Sequence, residues 1–186
     1  MKPLVIVFAR APRLGTVKSR LAAGIGARAA LRFHAATLAA TLRGLRRDRR
    51  FATVLAAIPQ SARGPWTQGA TRLRQGRGDI GQRMASAFAA FPRRRVALVG
   101  CDIPDLTAAL VADALRALRG TDAVFGPATD GGYWLVALGG RRPARPFAHV
   151  RWSGPHALAD TRARFTRHRV RLTATLRDVD EAIDLR

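Results

Sequence analysis

One cysteine, one tyrosine and one glutamate occur in 186 residues, and acidic side chains number 12 against 33 Lys and Arg. Cys101 alone cannot form an internal disulfide or a cysteine-based zinc site. Arg or Pro interrupts every apolar run well short of about 18 residues, so no membrane-spanning helix is expected. The apolar stretch after Met1-Lys2 resembles a leader, but Arg10, Pro12 and Arg13 end it early and no small-residue cleavage site follows. A cytoplasmic protein is the expectation. The length suits one domain, 1–186, and the apolar content of 48% excludes a disordered chain.

The net charge of +21 raises the question of nucleic acid. The basic residues are almost all Arg, with only Lys2 and Lys18 as lysines, and they are scattered along the chain. The densest group, 43–50, has no interleaved aromatics on which bases could stack. We read this charge as a solvated surface, with a basic nucleic-acid-binding protein as the alternative from another class. The acidic residues are the more informative set because they gather at the ends of apolar runs: Asp102 and Asp105, Asp130, and the group Asp178, Asp180, Glu181 and Asp184.

Buried strands are expected at 4–9 (LVIVFA), 51–58, 95–100 (RVALVG), 123–126, 132–138 and 170–173, with a short strand near Leu73. Helical patterns separate them. One runs from Lys18 to about Leu45 with a break at Gly24 and Gly26, one covers 79–91, and one is capped by Thr107 and stopped by Gly120. Another is expected from a Ser153 cap, with Pro155 in its first turn, to about Arg167, and a last helical turn from Asp180. Strands alternating with helices define an α/β fold, a mostly parallel sheet with helices on both faces. Ligands in such sheets sit beyond the carboxyl ends of the strands, which places three loops on one rim: 10–20, 101–105 and 127–132.

Each loop carries chemistry. The first holds Gly15 ahead of a helix and the cations Arg13, Lys18 and Arg20, a set suited to a polyphosphate although neither known glycine-rich phosphate motif is present. In the second, Asp102 directly follows a buried strand, placing a carboxylate where magnesium could join it to substrate phosphates. Asp178 or Asp180 could add a second carboxylate, and alternation along an extended segment would let only one face the ion. In the third, Asp130, Gly131, Gly132 and Tyr133 suit a hydroxyl-rich acceptor, although a tight turn into a strand explains them nearly as well. The histidines at 34, 149, 156 and 168 show no metal spacing and read as structural or exposed; no Ser-His-Asp arrangement is evident.

Six segments carry a family resemblance: FARAPRLGTVKSRLA (8–22), RGDIGQRM (77–84), VGCDIPDLT (99–107), GPATDGGYWLVAL (126–138), RWSGPHALADT (151–161) and LRDVDEAIDL (176–185). In this order they resemble the radical-SAM-associated, arsenosugar-biosynthesis-type glycosyltransferases of the nucleotide-diphospho-sugar transferase superfamily. More distantly the chain is similar to molybdenum-cofactor nucleotidylyltransferases and phospholactate guanylyltransferase. The resemblance implies a single-domain GT-A-like α/β/α fold and a Mg2+ (or Mn2+) ion held by Asp102 and Asp180. It implies nucleotide contacts from Ala9, Arg10, Pro12, Arg13, Gly15, Lys18 and Arg20, with Gly78, Asp79 and Arg83 bordering the pocket. The substrates would be a nucleotide or nucleotide-sugar and a small-molecule acceptor, handled by a monomer or homodimer. Glycosyl transfer is the leading expectation, with nucleotidylyl transfer to a phosphorylated acceptor as the alternative. The chain departs from the family pattern at Gly154, where Thr is usual, and at Glu181-Ala182, where Thr-Pro is usual.

Overall fold

The β-branched N-terminal run forms β1, Leu4–Arg10, which is buried on both faces and pairs in parallel with β2, Ala52–Ile58, and β3, Val96–Val99. These strands, with β4 (Ala123–Pro127), β5 (Tyr133–Leu138) and β6 (Val170–Leu172), complete a computed structural model that describes residues 1–185. The six-stranded sheet has the order β2-β1-β3-β5-β4-β6. Only β5 runs antiparallel, registered against β3 (Val99 opposite Leu135) and β4 (Pro127 opposite Tyr133). Its N-terminus therefore starts on the rim where β1, β3 and β4 end, and the three loops do share one edge.

Alternation along each strand divides the core. Val5, Val7 and Ala9 pack with Leu38, Leu42 and Leu45 of α2 (Ala27–Arg47) and Val111 and Leu115 of α4 (Ala108–Ala117). Leu4, Ile6 and Phe8 face the other way, onto Met84 and Phe88 of α3 (Ile80–Ala89) together with Phe147 and Phe165. The result is the expected α/β/α layering. The break before α2 falls at Gly26, φ +84, which separates it from the short α1, Ser19–Ile25. Thr107 caps α4 as expected, accepting from the Leu110 N–H at 3.3 Å.

Three local expectations are corrected. The helix expected from Ser153 begins only at Ala157; α5 spans Ala157–Arg162 and passes into a 3-10 turn, Ala163–Phe165. Ser153 stands at φ +63 and caps nothing, because tertiary contacts claim its segment. Asp160 Oδ2 accepts from the Arg151 N–H at 3.0 Å, and Leu158 N–H donates to Gly131 O at 3.1 Å. The C-terminal turn starts at Ala182, two residues later than expected, because Asp184 Oδ2 accepts from the N–H groups of Asp180 and Glu181. The strand near Leu73 is a single bridge, Leu55 to Arg72. No helix among the described residues is long and apolar enough to cross a membrane.

Candidate active site

A cleft of about 870 Å³ opens on the shared rim. Its lining includes Ala9, Arg10, Lys18, Arg20, Asp79, Arg83, Asp102, Asp130, Gly132, Tyr133 and Asp180 of the residues expected from sequence. Pro12, Arg13, Gly15, Gly78 and Gly131 lie outside that lining. The first loop turns away at its tip, where Arg13 O accepts from Thr16 N–H at 3.2 Å and Thr16 Oγ1 at 3.0 Å, and Gly15 adopts φ +73. Gly131, at φ +85, packs against Pro155 and anchors the start of α5 instead.

The floor of the cleft is a charged cluster. Asp102 leaves the end of β3 as the sequence pattern implied, and His34 reaches it from the buried stripe of α2 with Nδ1 3.2 Å from Asp102 Oδ1. The other nitrogen of His34, Nε2, stands 3.0 Å from Arg10 O. A carbonyl oxygen only accepts, so Nε2 carries a proton, and Nδ1 must carry one too if it is to donate to the carboxylate. Burial works against that charge, but the bonds to Asp102 and Arg10 O outweigh it and His34 titrates above its ordinary value. Burial also raises Asp102, yet the hydrogen bond from His34 and the nearby Lys18 charge bring its carboxyl below the usual carboxylate range.

Lys18 completes the cluster. Its backbone is left-handed, φ 52 and ψ 48, at the start of α1. Its ammonium donates to Val179 O at 2.7 Å and Asp180 Oδ1 at 2.8 Å, and stands 3.4 Å from Asp102 Oδ1. Burial lowers its proton affinity, but the two aspartates more than compensate, so Lys18 titrates above the ordinary lysine value. Asp180 reaches this point because Val179 is buried against Leu21 and Ala30 and donates its N–H to Asp102 O at 3.2 Å. Alternation was expected to let only one of Asp178 and Asp180 face the site, but both line the cleft. Burial, with Asp130 and Asp180 near, pushes the Asp178 carboxyl up.

The nucleotide side expected around 78–83 has a structural account of its own. Asp79 Oδ1 accepts from Gln82 N–H at 2.8 Å while Gln82 Oε1 accepts from Asp79 N–H at 2.9 Å, a reciprocal cap on α3. Arg83 donates through Nη1 to Gln75 Oε1 at 3.0 Å, and buried Gln75 donates onward to Ala9 O and Ala56 O. A Cβ on Gly81 would meet Trp152 Cζ2 at 2.7 Å, so this glycine lets Trp152 lie against α3 at the cleft wall. On the other side, Thr161 Oγ1 donates to Ala157 O at 2.7 Å, leaving the Tyr133 hydroxyl to donate to Thr161. Tyr133 thus turns its hydroxyl away from the cleft, and burial pushes its phenol well above the ordinary value. Asp130 Oδ1 accepts from Gly132 N–H at 2.8 Å, the turn geometry weighed in the sequence.

His34, Gln75 and Trp152 are site residues that sequence reasoning missed. The one available signal was a histidine within the apolar stripe of α2. His34, Cys101 and Asp102 bring potential ligand atoms within 4.8 Å of one another. They do not form a thiolate site, because Cys101 is buried and its thiol is pushed far up, and His34 is already held at both nitrogens.

Solved structures of other proteins share this fold. A Desulfovibrio desulfuricans G20 protein, to which a nucleotide-diphospho-sugar transferase role is attributed, is 30% identical over 100% of this chain and 85% of its own, with a TM-score of 0.85. A cytidylyltransferase from Leptospira borgpetersenii is 12% identical over 100% and 84%, TM-score 0.65. Rv0371c from Mycobacterium tuberculosis H37Rv, in complex with manganese, is 16% identical over 98% and 96%, TM-score 0.55. At such low identity the last two show the fold alone. No curated protein matches the chain. The fold and the 30% identical relative together define a transferase of the α/β class. The chain belongs to the family described as an uncharacterized protein conserved in bacteria (DUF2064), whose model matches residues 32–154.

Proposed function

We propose that this protein is a divalent-metal-dependent transferase that takes a nucleotide-diphospho-sugar as donor and passes the sugar to a small-molecule acceptor. The observation that carries the reading is the convergence of Asp102 Oδ1 and Asp180 Oδ1 on one cationic position, 3.4 and 2.8 Å from the Lys18 ammonium. Two hard carboxylate donors lining one cleft fit Mg2+ or Mn2+, which favour oxygen ligands completed by phosphates and water. Such an ion would neutralise the diphosphate and stabilise it as a leaving group. The manganese complex of a protein with the same fold supports the choice of metal, and the attributed role of the 30% identical relative supports the donor.

The chain's own residues divide the remaining work. Arg10, Arg20 and Arg83 line the cleft and offer fork-shaped donors to phosphate oxygens. His34 fixes the Asp102 carboxylate so that it need not reorganise when ligand arrives. Asp130 and Gly132, with the Tyr133 ring and Trp152, border the region left for the acceptor. The resemblance to arsenosugar-type, radical-SAM-associated glycosyltransferases gives the finer family reading, of a cytoplasmic single-domain enzyme acting as a monomer or homodimer. One observation favours a second reading: Arg10, Arg20 and Arg83 line the same cleft as Lys18, a set of cations suited to a triphosphate, so nucleotidylyl transfer to a phosphorylated acceptor uses the same machinery.

Thermal shift across nucleoside di- and triphosphates and nucleotide-sugars, each with Mg2+ and with chelator, tests both. A ligand at about 100 times its dissociation constant stabilises the fold by about 2.7 kcal/mol. Magnesium-dependent stabilisation greatest with a nucleotide-sugar and abolished by Asp102→Ala supports glycosyl transfer, and preference for a triphosphate supports the second reading. Retained magnesium-dependent binding in Asp102→Ala rejects the metal site.

A further inference from the structure

Lys18 was expected at the phosphates, yet here every donor it owns is spent on the protein. An ammonium carries three protons. Two go to Val179 O and Asp180 Oδ1, at 2.7 and 2.8 Å, and the third faces Asp102 Oδ1 at 3.4 Å. Its side chain is only 5% exposed, whereas those of Asp102 and Asp180 are 44% and 43% exposed. The lysine reaches the cluster from a left-handed backbone, a conformation that an L-residue adopts only when surrounding contacts hold it there. The carboxylate atoms that this ammonium bridges are the same Oδ1 atoms a divalent cation would use. Mg2+ binds carboxylate oxygen at about 2.0–2.1 Å. An ammonium in contact with both oxygens and an ion bonded to both cannot share the space, and their charges repel.

We infer that the Lys18 ammonium and the divalent cation are alternative occupants of one position between Asp102 and Asp180. This rests on the reading of those aspartates as metal ligands. Lys18 closes the site in the metal-free protein and keeps two adjacent carboxylates compensated. Its flexible four-carbon stem lets it leave when the ion enters, and the departing ammonium becomes available to the phosphates that arrive with the ion. Metal and polyphosphate then favour one another's binding, and metal alone binds weakly, because it must displace a well-bonded cation. A fixed ion pair that merely ties the C-terminal segment to the rim predicts the opposite: Lys18 stays in place when metal binds.

The test is Mn2+ binding to the full-length protein without nucleotide, followed by the electron paramagnetic resonance of the free ion. Lys18→Met removes the competing cation and is expected to tighten Mn2+ at least tenfold, while Asp102→Asn abolishes binding. Added pyrophosphate is expected to raise Mn2+ affinity more in the wild type than in Lys18→Met. Because Lys2 and Lys18 are the only lysines, 15N-lysine labelling gives an independent measurement on the unmutated chain, with Lys2→Arg assigning the signals. The protected Lys18 Nζ resonance is expected in metal-free protein and lost at saturating Mg2+. Asp102-dependent Mn2+ binding that Lys18→Met leaves unchanged or weakens overturns the exchange alone, as does a Lys18 Nζ signal that persists under saturating Mg2+. Mn2+ binding that survives Asp102→Asn overturns the metal-site reading, and the exchange with it.

Discussion

His34 Nδ1 lies 3.2 Å from Asp102 Oδ1, joining the long helix α2 to the acid that follows β3. With Nε2 held by Arg10 O, the imidazole braces two of the three rim loops at once.

This contact makes metal-free stability depend on pH in a defined direction. His34 titrates above its ordinary 6.5 in the fold, so its contribution is complete below that value and is lost as pH rises through the folded value. Asp102 titrates below its ordinary 3.8, so its share is present above that value and lost as pH falls through the lower one. Urea unfolding of wild type and His34→Asn should show the widest gap between about pH 5 and 6, narrowing on the alkaline side. A gap that widens above pH 8 would contradict the charged pair.

Asp79 separates a capping role from a ligand role. Asp79→Asn keeps the acceptor oxygen for Gln82 N–H and should leave the unfolding midpoint and nucleotide binding near wild type. Asp79→Ala removes the cap and should cost about 0.5–2 kcal/mol. A large loss of nucleotide affinity in Asp79→Asn, without loss of stability, would show that the carboxylate contacts ligand.

Gly81→Ala should destabilise and reshape the cleft wall together. Its Cβ would sit 2.7 Å from Trp152 Cζ2 and 3.0 Å from Phe147 O, and of these only the tryptophan can yield. Overpacking of this kind costs about 1–3 kcal/mol. Denaturant unfolding measures the loss, and a shifted emission maximum should report the displaced indole. A variant with wild-type stability and emission would mean that Trp152 does not depend on this glycine.

Gln75→Leu should act on Arg83 as well as on stability. The buried amide serves Ala9 O on β1, Ala56 O on β2 and the Arg83 guanidinium together. Removing it leaves carbonyl acceptors without that partner, at about 1–3 kcal/mol. Nucleotide affinity should fall further than in Arg83→Lys, which loses one fork but keeps the sheet intact. Equal affinities in the two variants would show that Gln75 acts only through Arg83.

The sheet and its rim were legible because burial on both faces leaves a strong mark: LVIVFA and RVALVG admit little besides central strands. Asp102, Asp130 and Lys18 could be placed on one rim because each lies in a loop that leaves or enters such a run. His34 was not legible. It lies 68 residues from Asp102, and a histidine in an apolar stripe reads as core until the partner strand is known. Ser153 misled for the related reason that a local cap preference of about 1 kcal/mol yields to the contacts holding 151–160.

The sequence by itself determined the α/β layering, the antechamber of loops at the strand ends and the identity of the acids there, since these follow from local periodicity and strand burial. Only the tertiary structure decided which of those groups meet. Asp180, 162 residues from Lys18, is brought within 2.8 Å of its ammonium because Val179 packs beneath α1 and α2, and no local pattern records that distant contact. Charges within a few ångströms interact strongly whatever their separation along the chain, so the chemistry of the cleft is fixed by packing.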